Sequence, residues 1–390
     1  MGFDDIIDFR GKHSSKWDTM ESAMGVSPKD GLAMWVADMD FRPPECGIEA
    51  VAKANAEGLY TYFGDMSEYE ASISWWMKER HGWTVDPKAI ITTQGIVNAV
   101  AVCLDTYTRP GDGVVVFSPV YHAFHRVIRA NDRVVVECPL VVKEDIYTFD
   151  FDAYDRQMTG AEKVVILCSP HNPGGRVWSA EELRGVADFA RRHGLLLISD
   201  EIHHDLVFPG EKHLAMATVE PGLSDRLIMM SATSKTFNVA GMHCGNVIIA
   251  DDALRAPFAK RMSQLSIAPN SMSLRMVPAL YSPEGAAWVD GLNLYLAANH
   301  RLFRDGVDAI PGLRMMPMQG TYLAWVDFSG TGMEREEFSR RVAEDARIAA
   351  SPGPVFGQGG DDYLRFNLAM PKARIEEALD RLRGAFRDLQ

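Results

Sequence analysis

The chain has 390 residues, with 40 Lys plus Arg against 53 Asp plus Glu and a formal charge of −13. That length admits two or three packed units, and the acidic balance disfavours nucleic acid and anionic membrane as general partners. No apolar run approaches a membrane span, the acidic start lacks a signal peptide's charged-then-apolar order, and five dispersed cysteines without a CxxC pair suit a reducing cytoplasm.

Residues 1–45 read as an irregular arm, with Lys16-Trp17-Asp18 and a Trp- and Met-rich run from Met34 to Phe41 closed by Pro43-Pro44. A helix is expected over 45–57, then an aromatic turn between Gly58 and Gly64, then a helix over 68–81 with Ile73, Trp76 and Met77 at helical spacing. From there short apolar runs alternate with helices. Strands are expected at 90–93, 114–117, 133–137, 164–167 and 195–199, with helices at 96–107 and after Ser179, whose Ser-Ala-Glu-Glu run is a capping signal. Further apolar runs at 227–230 and 246–250 flank the stretch Ser231 to Gly241, with a turn expected after Lys235. Strands apolar along their whole length, alternating with helices, predict a parallel sheet covered on both faces. In such sheets ligands sit beyond the carboxyl ends of the strands. Gly95, Tyr121, Asn172, Asp200 and Lys235 all lie just past such runs.

The pattern changes after Pro283. A long helix is expected over 284–307, a strand over 320–326, a Glu-rich helix over 334–343, a strand over 363–368, and a C-terminal helix from Pro371 with Ile375, Leu379, Leu382 and Phe386 on one face. Neither an internal repeat nor a low-complexity segment is visible. His203-His204-Asp205 is the densest cluster of ligand-type side chains and lacks HExxH spacing, so no metal centre is expected. An early strand followed by GxGxxG is missing, which argues against a nucleotide-binding Rossmann domain.

Lys235 is the chemically pointed residue. A lysine between two apolar runs, flanked by small hydroxyl residues, is poorly placed as a solvated charge; in a dry site it loses its proton more easily and can form a Schiff base. Taken alone, other candidates have structural readings: Asp200 as a helix N-cap at a strand end, Asn172 as a turn residue before Pro173, and Arg365, in a mostly apolar strand, as an internal ion pair.

The order Gly95, Tyr121, Asn172, Asp200, Lys235, Arg365 resembles the pyridoxal-phosphate enzymes of the aminotransferase fold, fold type I, over nearly the whole chain. With Ala37-Asp38-Met39-Asp40-Phe41, Cys168 to Trp178, Ser199 to His203, Ser234 to Asn238 and Gly320 to Trp325, it is most similar to their C–S lyase branch, the MalY/PatB-type cystathionine β-lyases. The resemblance implies an α/β fold: a large cofactor-binding domain over 46–283 with a mostly parallel seven-stranded sheet covered by helices, and a smaller α+β domain over 284–390 joined by the arm 1–45. It implies a cytoplasmic homodimer with its active site at the interface and a small amino-acid substrate. Lys235 would carry the pyridoxal 5′-phosphate and act as base at Cα, Asp200 would pair with the ring nitrogen, Asn172 would donate to the phenolate oxygen, and Tyr121 would stack on the ring. Gly95 and Ile96 would cradle the phosphate at a helix start, with Ser234 and His203 also at the cofactor. Tyr62 would reach the phosphate and substrate across the dimer, Arg365 would clamp the substrate carboxylate, and Ala37 would line its site.

Two positions depart from the wider family: His203 stands where many aminotransferases have a tyrosine, as in the lyase branch, and His243 stands where many have a phosphate-binding arginine. The implied reaction is α,β-elimination from cystathionine or another S-substituted cysteine, giving a thiol, pyruvate and ammonia. The rivals are an aminotransferase sharing the first proton transfer, and a regulatory protein that keeps the fold and senses a ligand.

Overall fold

The computed structural model describes residues 2–389. Its main sheet has seven strands in the spatial order Ile90–Thr93, Gly245–Ile248, Leu227–Ser231, Leu196–Asp200, Glu162–Cys168, Gly113–Val116, Val134–Glu137. Every pairing from Leu227–Ser231 to the Val134–Glu137 edge is parallel, and Gly245–Ile248 is antiparallel to both neighbours. The two-residue period of a strand assigns side chains alternately to two cores. Val115, Val165, Leu167, Leu197 and Met229 enter one; Val114, Val116, Val164, Ile166, Ile198, Ile228 and Met230 enter the other. Each such buried side chain stabilises the sheet by about 1.5–3 kcal/mol, which is why these strands read as unbroken apolar runs.

Helix Ile96–Tyr107 covers the second face with Val100, Cys103 and Leu104, and Ala180–Arg192 covers the first with Leu183, Val186 and Phe189. The expected cap at Ser179 is a full capping box: its hydroxyl accepts from Glu182 N–H while the Glu182 carboxylate accepts from Ser179 N–H. Helices His122–Ala130, Phe151–Gln157, Asp252–Gln264 and Ser271–Leu280, and the hairpin of Val141–Lys143 with Ile146–Thr148, have no counterpart among the expected elements. Pro257 and Pro278 lie inside two of those helices and mask their sequence signal.

A second, antiparallel sheet runs in the order Arg314–Met315, Leu323–Asp327, Tyr363–Asn367, Ser351–Pro352. Helices Pro283–Asp308 and Lys372–Ala385 pack together beside it. The strand expected over 320–326 begins only at Leu323, because Gly320 forms an isolated bridge to Val207 and Thr321 is left-handed at φ +65°. The helix expected over 334–343 stops at Arg340 and widens into a π turn, Arg341–Asp345. Lys235 lies within a one-turn helix, Thr233–Thr236, which continues one residue past it before the chain turns.

The arm is more ordered than expected. It holds the short helices Ser15–Asp18 and Met20–Met24 and a strand, Leu32–Ala33, parallel to Ile348–Ala349. None has a local signal strong enough to read; tertiary contacts fix them. Asn367 N–H donates to Met34 O at 2.8 Å, and Lys16 Nζ pairs with Asp40 at 3.0 Å. The arm and the second sheet thereby deliver Ala37 and Arg365 to the carboxyl ends of the main sheet.

Candidate active site

A cavity of about 260 Å³ opens at those carboxyl ends, lined by Ala37, Gly95, Ile96, Tyr121, Asn172, Asp200, His203 and Lys235 among others. Strand Leu227–Ser231 runs directly into the turn of helix that carries Lys235. Thr236, the next residue, anchors that turn from below by donating to Asp205 Oδ2 at 2.8 Å. Lys235 Nζ donates to Ala37 O at 2.7 Å and lies 3.7 Å from Asp38 Oδ1. Burial lowers its pKa, Asp38 opposes that shift, and the Arg365 charge reinforces it.

Asp200 ends its strand buried, and among the described residues the only hydrogen bond to its carboxylate comes from Ile202 N–H at 3.1 Å. No helix follows, so it caps a tight turn rather than a helix. Burial raises its pKa to about 7, against the ordinary carboxylate value of 3.8. Such a carboxylate is short of a cationic or donor partner. His203, three residues on, is buried with Nδ1 unpartnered. Burial and the nearby Lys235 and Arg365 charges hold it neutral, with a pKa of about 3.

Arg365 is 2% exposed. Its partners are all neutral: Asn172 Oδ1 at 3.0 Å, Trp35 O at 2.7 Å, Ser351 Oγ at 3.3 Å and the Phe356 ring, 4.9 Å below its guanidinium carbon. Among the described residues no carboxylate comes within ion-pair distance, and its Nε has no acceptor. Burial lowers its pKa to about 10. The internal ion pair that was one reading of this residue is therefore not what the structure forms. Because a guanidinium only donates, Asn172 must turn its oxygen to Arg365, leaving its amide N–H groups for another acceptor.

Gly95 precedes helix Ile96–Tyr107 at φ +112°, a conformation that a side chain resists, and turns the strand end into the helix start. The first N–H groups of that helix have no partners within it and carry its positive end to the cavity. Gln94, Val97, Asn98, Cys168, Ile202, Ala240 and His243 complete the wall. Gln94, Val97 and Ile202 neighbour Gly95, Ile96 and His203 in sequence, which is the signal that could have found them, and His243 is one of the two departures noted above. Ser234 lies beside Lys235, and its carbonyl accepts from Val239 N–H at 3.0 Å, but it does not line the cavity. Tyr62 is fully exposed, at 104%, and belongs to a separate concavity with Phe63, Met66 and Leu274. Within one chain it does not meet the other site residues.

Behind the cavity wall lies a buried network that sequence reading missed. Asp205 accepts from Trp76 Nε1 at 3.0 Å and Thr236 Oγ1 at 2.8 Å, meets His81 Nε2 at 2.9 Å, and lies 3.0 Å from His204 Nε2. Burial alone would raise its pKa; His204 and His81 hold it well below the carboxylate range instead. The adjacent Glu201 accepts from Ser199 Oγ and Met216 N–H and meets His213. The ring nitrogens of His81 and His204 and an Asp205 oxygen lie within 4.8 Å of one another. Both Asp205 oxygens are already committed to the hydrogen bonds above.

Residues 30–382 match the family model for class I and II aminotransferases. The chain is 34% identical to a cystathionine beta-lyase of Bacillus subtilis (strain 168), PatB, over 99% of this chain and 100% of that protein. It is 29% identical to protein MalY of Escherichia coli (strain K12), covering 99% of this chain and 98% of that one. Among solved structures it is similar to cystalysin of Treponema denticola, which contains pyridoxal 5′-phosphate, with a TM-score of 0.94, 35% identity, and coverage of 100% of this chain and 99% of that one. It is also similar to the pyridoxal-phosphate-bound C–S lyase of Staphylococcus hominis, with a TM-score of 0.91, 28% identity, and coverage of 99% and 98%. The chain belongs to the class I and II aminotransferase family, and its fold is the α/β fold type I of the pyridoxal-phosphate enzymes.

Proposed function

We propose that this protein is a pyridoxal-phosphate-dependent C–S lyase that performs α,β-elimination on cystathionine or other S-substituted cysteines, working as a cytoplasmic homodimer. The observation that carries the reading is the meeting of Lys235 and an under-bonded Asp200 at one cavity, with a carboxylate-free Arg365 directly behind its wall on Asn172, in a chain that matches named lyases end to end. The residues suit the cofactor group by group. Asp200 supplies the charge that keeps a ring nitrogen protonated. Asn172 has donors left for a phenolate oxygen. Tyr121 offers a ring face, and the helix start at Gly95 and Ile96 offers N–H groups to a phosphate. Ser234 and His203 flank these groups, and Tyr62 of the partner subunit completes the phosphate and substrate contacts. In this reading residues 46–283 hold the cofactor. The arm 1–45 and residues 284–390 form the smaller unit that supplies Ala37 and Arg365. No helix of the described residues is long and apolar enough to cross a membrane.

Held on Lys235, pyridoxal phosphate would supply an electron sink for the pair released at Cα. The chain's own residues do the rest. Arg365 receives the substrate carboxylate in a two-pronged contact, which satisfies its orphan Nε and fixes the Cα–H bond relative to Lys235. Lys235, with its amine free, would take the Cα proton on Nζ, a task its lowered pKa favours. Opposite a cationic ring nitrogen Asp200 would be held in its charged form, and in that dry setting its charge would act strongly on the ring. Loss of the Cβ–S bond gives a thiol and an enamine, which takes up water to yield pyruvate and ammonia.

The test is incubation of purified protein with L-cystathionine alone, and separately with an amino acid plus a 2-oxo acid. Pyruvate without added oxo acid is the expected result. A new amino acid formed only in the second mixture would make the protein an aminotransferase instead.

A further inference from the structure

Lys235 has one charged neighbour that its assigned role does not use. Asp38 Oδ1 lies 3.7 Å from Nζ, on a carboxylate 38% exposed, while the lysine side chain is 19% exposed. The peptide groups on both sides of Asp38 are pinned. Ala37 O accepts from Lys235 Nζ and from the Tyr322 hydroxyl, and Asp38 O accepts from Lys16 Nζ and Asn367 Nδ2. Met39 N–H donates to Asn238 Oδ1, and Asn238 Nδ2 returns to Met39 O. With its backbone locked, Asp38 holds its carboxylate beside the lysine and beside solvent. The other groups that act on Lys235 come from different elements: Arg365 from the second sheet, Asp200 from the end of its strand, and neutral His203 beyond it.

We infer that Asp38 is the counter-charge of Lys235, holding the abstracted Cα proton on Nζ until it is delivered to the departing sulfur. This rests on the lyase reading above. The proton balance is closed. The Cα–H bond breaks and an N–H bond forms on Lys235; the pair left at Cα becomes the Cα=Cβ bond; the Cβ–S pair leaves on sulfur, which takes the proton from Nζ. An ammonium stranded between Arg365 and a dry wall would lose its proton early. The same ammonium opposite a carboxylate retains it, and the half-exposed Asp38 does this without adding a second buried charge. Asp38 acts through Lys235, which makes it a positioning residue for the proton.

Two measurements on Asp38→Asn and Asp38→Glu decide the matter. In the holoenzyme, turnover is compared for S-alkyl cysteines, whose thiolates need a proton to leave, and S-nitrophenyl cysteine, whose thiolate leaves unaided. Asp38→Asn should lose about tenfold or more on the alkyl substrates and about twofold or less on the aryl one, with Asp38→Glu recovering most of the loss. In cofactor-free protein, acetic anhydride labelling of Lys235 is followed against pH. Its half-point should fall by about one pH unit in Asp38→Asn, a tenfold change in proton affinity, and return in Asp38→Glu. An unmoved half-point, or an equal loss on every substrate, overturns the inference. If the unaltered protein eliminates none of these substrates, the lyase reading fails, and the labelling half-point still decides whether Asp38 is the lysine's counter-charge.

Discussion

Two sets of buried charges lie within a few residues of each other and are handled in opposite ways. Behind the cavity, Asp205 is surrounded by Trp76, His81, His204 and Thr236, and Lys16, 1% exposed, is paired with Asp40, which also accepts from Trp17 Nε1 at 3.0 Å. At the cavity, Asp200 has one backbone donor and His203 an unpartnered Nδ1, and behind its wall Arg365 has only neutral partners and an orphan Nε among the described residues. Burying a charge is costly unless it is paired. The satisfied set holds elements together. The under-bonded set is the one that a cofactor and a substrate carboxylate would complete in the proposed reading.

The largest effect should come from removing the reacting group itself. Lys235→Ala should cut turnover roughly 10⁴-fold while leaving the melting temperature nearly unchanged, since Nζ contributes little to the framework. The framework set should behave the other way. Asp205→Asn leaves two histidines, a tryptophan and a threonine aimed at a poorer acceptor and should cost about 3–5 kcal/mol in denaturant unfolding. Its contribution is present above the ordinary carboxylate pKa and is lost as pH falls through its depressed value.

Arg365→Lys keeps the charge but loses the fork. It should cost roughly 2–5 kcal/mol in kcat/KM, mainly through KM, with stability little changed. A lower melting temperature with unchanged KM would move Arg365 into the framework set.

Asp200 sharpens the contrast by its sign. Its folded pKa of about 7 lies above the ordinary 3.8. Between those values the unfolded chain has released a proton that the folded chain keeps. The stability of the cofactor-free protein should therefore fall as pH rises from about 4 to about 7. Asp200→Asn should remove that fall, a gain of up to about 4 kcal/mol at neutral pH, while turnover drops by roughly 10²-fold or more. Asp205→Asn and Asp200→Asn thus shift stability in opposite directions, and unfolding curves at two pH values check both.

The site was more legible than the framework that holds it. Asp200, Asn172 and Tyr121 stand at the ends of apolar strands, and Lys235 one short turn beyond another, so one pattern located all of them. The sheet was legible because its strands are buried on both faces and read as unbroken apolar runs. The Asp205 network was not: Trp76, His81, Asp205, His213 and Thr236 are scattered over the chain, and no local period links them. The same holds for Asp38, whose proximity to Lys235 depends on the arm docking through Lys16, Asn238 and Asn367. Tyr62 shows another limit, because a residue proposed to act across a subunit boundary has no partner to reveal it within one chain.

The most direct check of the cofactor assignment is borohydride reduction of the purified protein, followed by peptide mass mapping. A reduced cofactor adduct on the peptide containing Lys235, and lost in Lys235→Ala, is the expected result. An adduct on a different lysine, or protein that neither carries nor takes up pyridoxal phosphate, would contradict it.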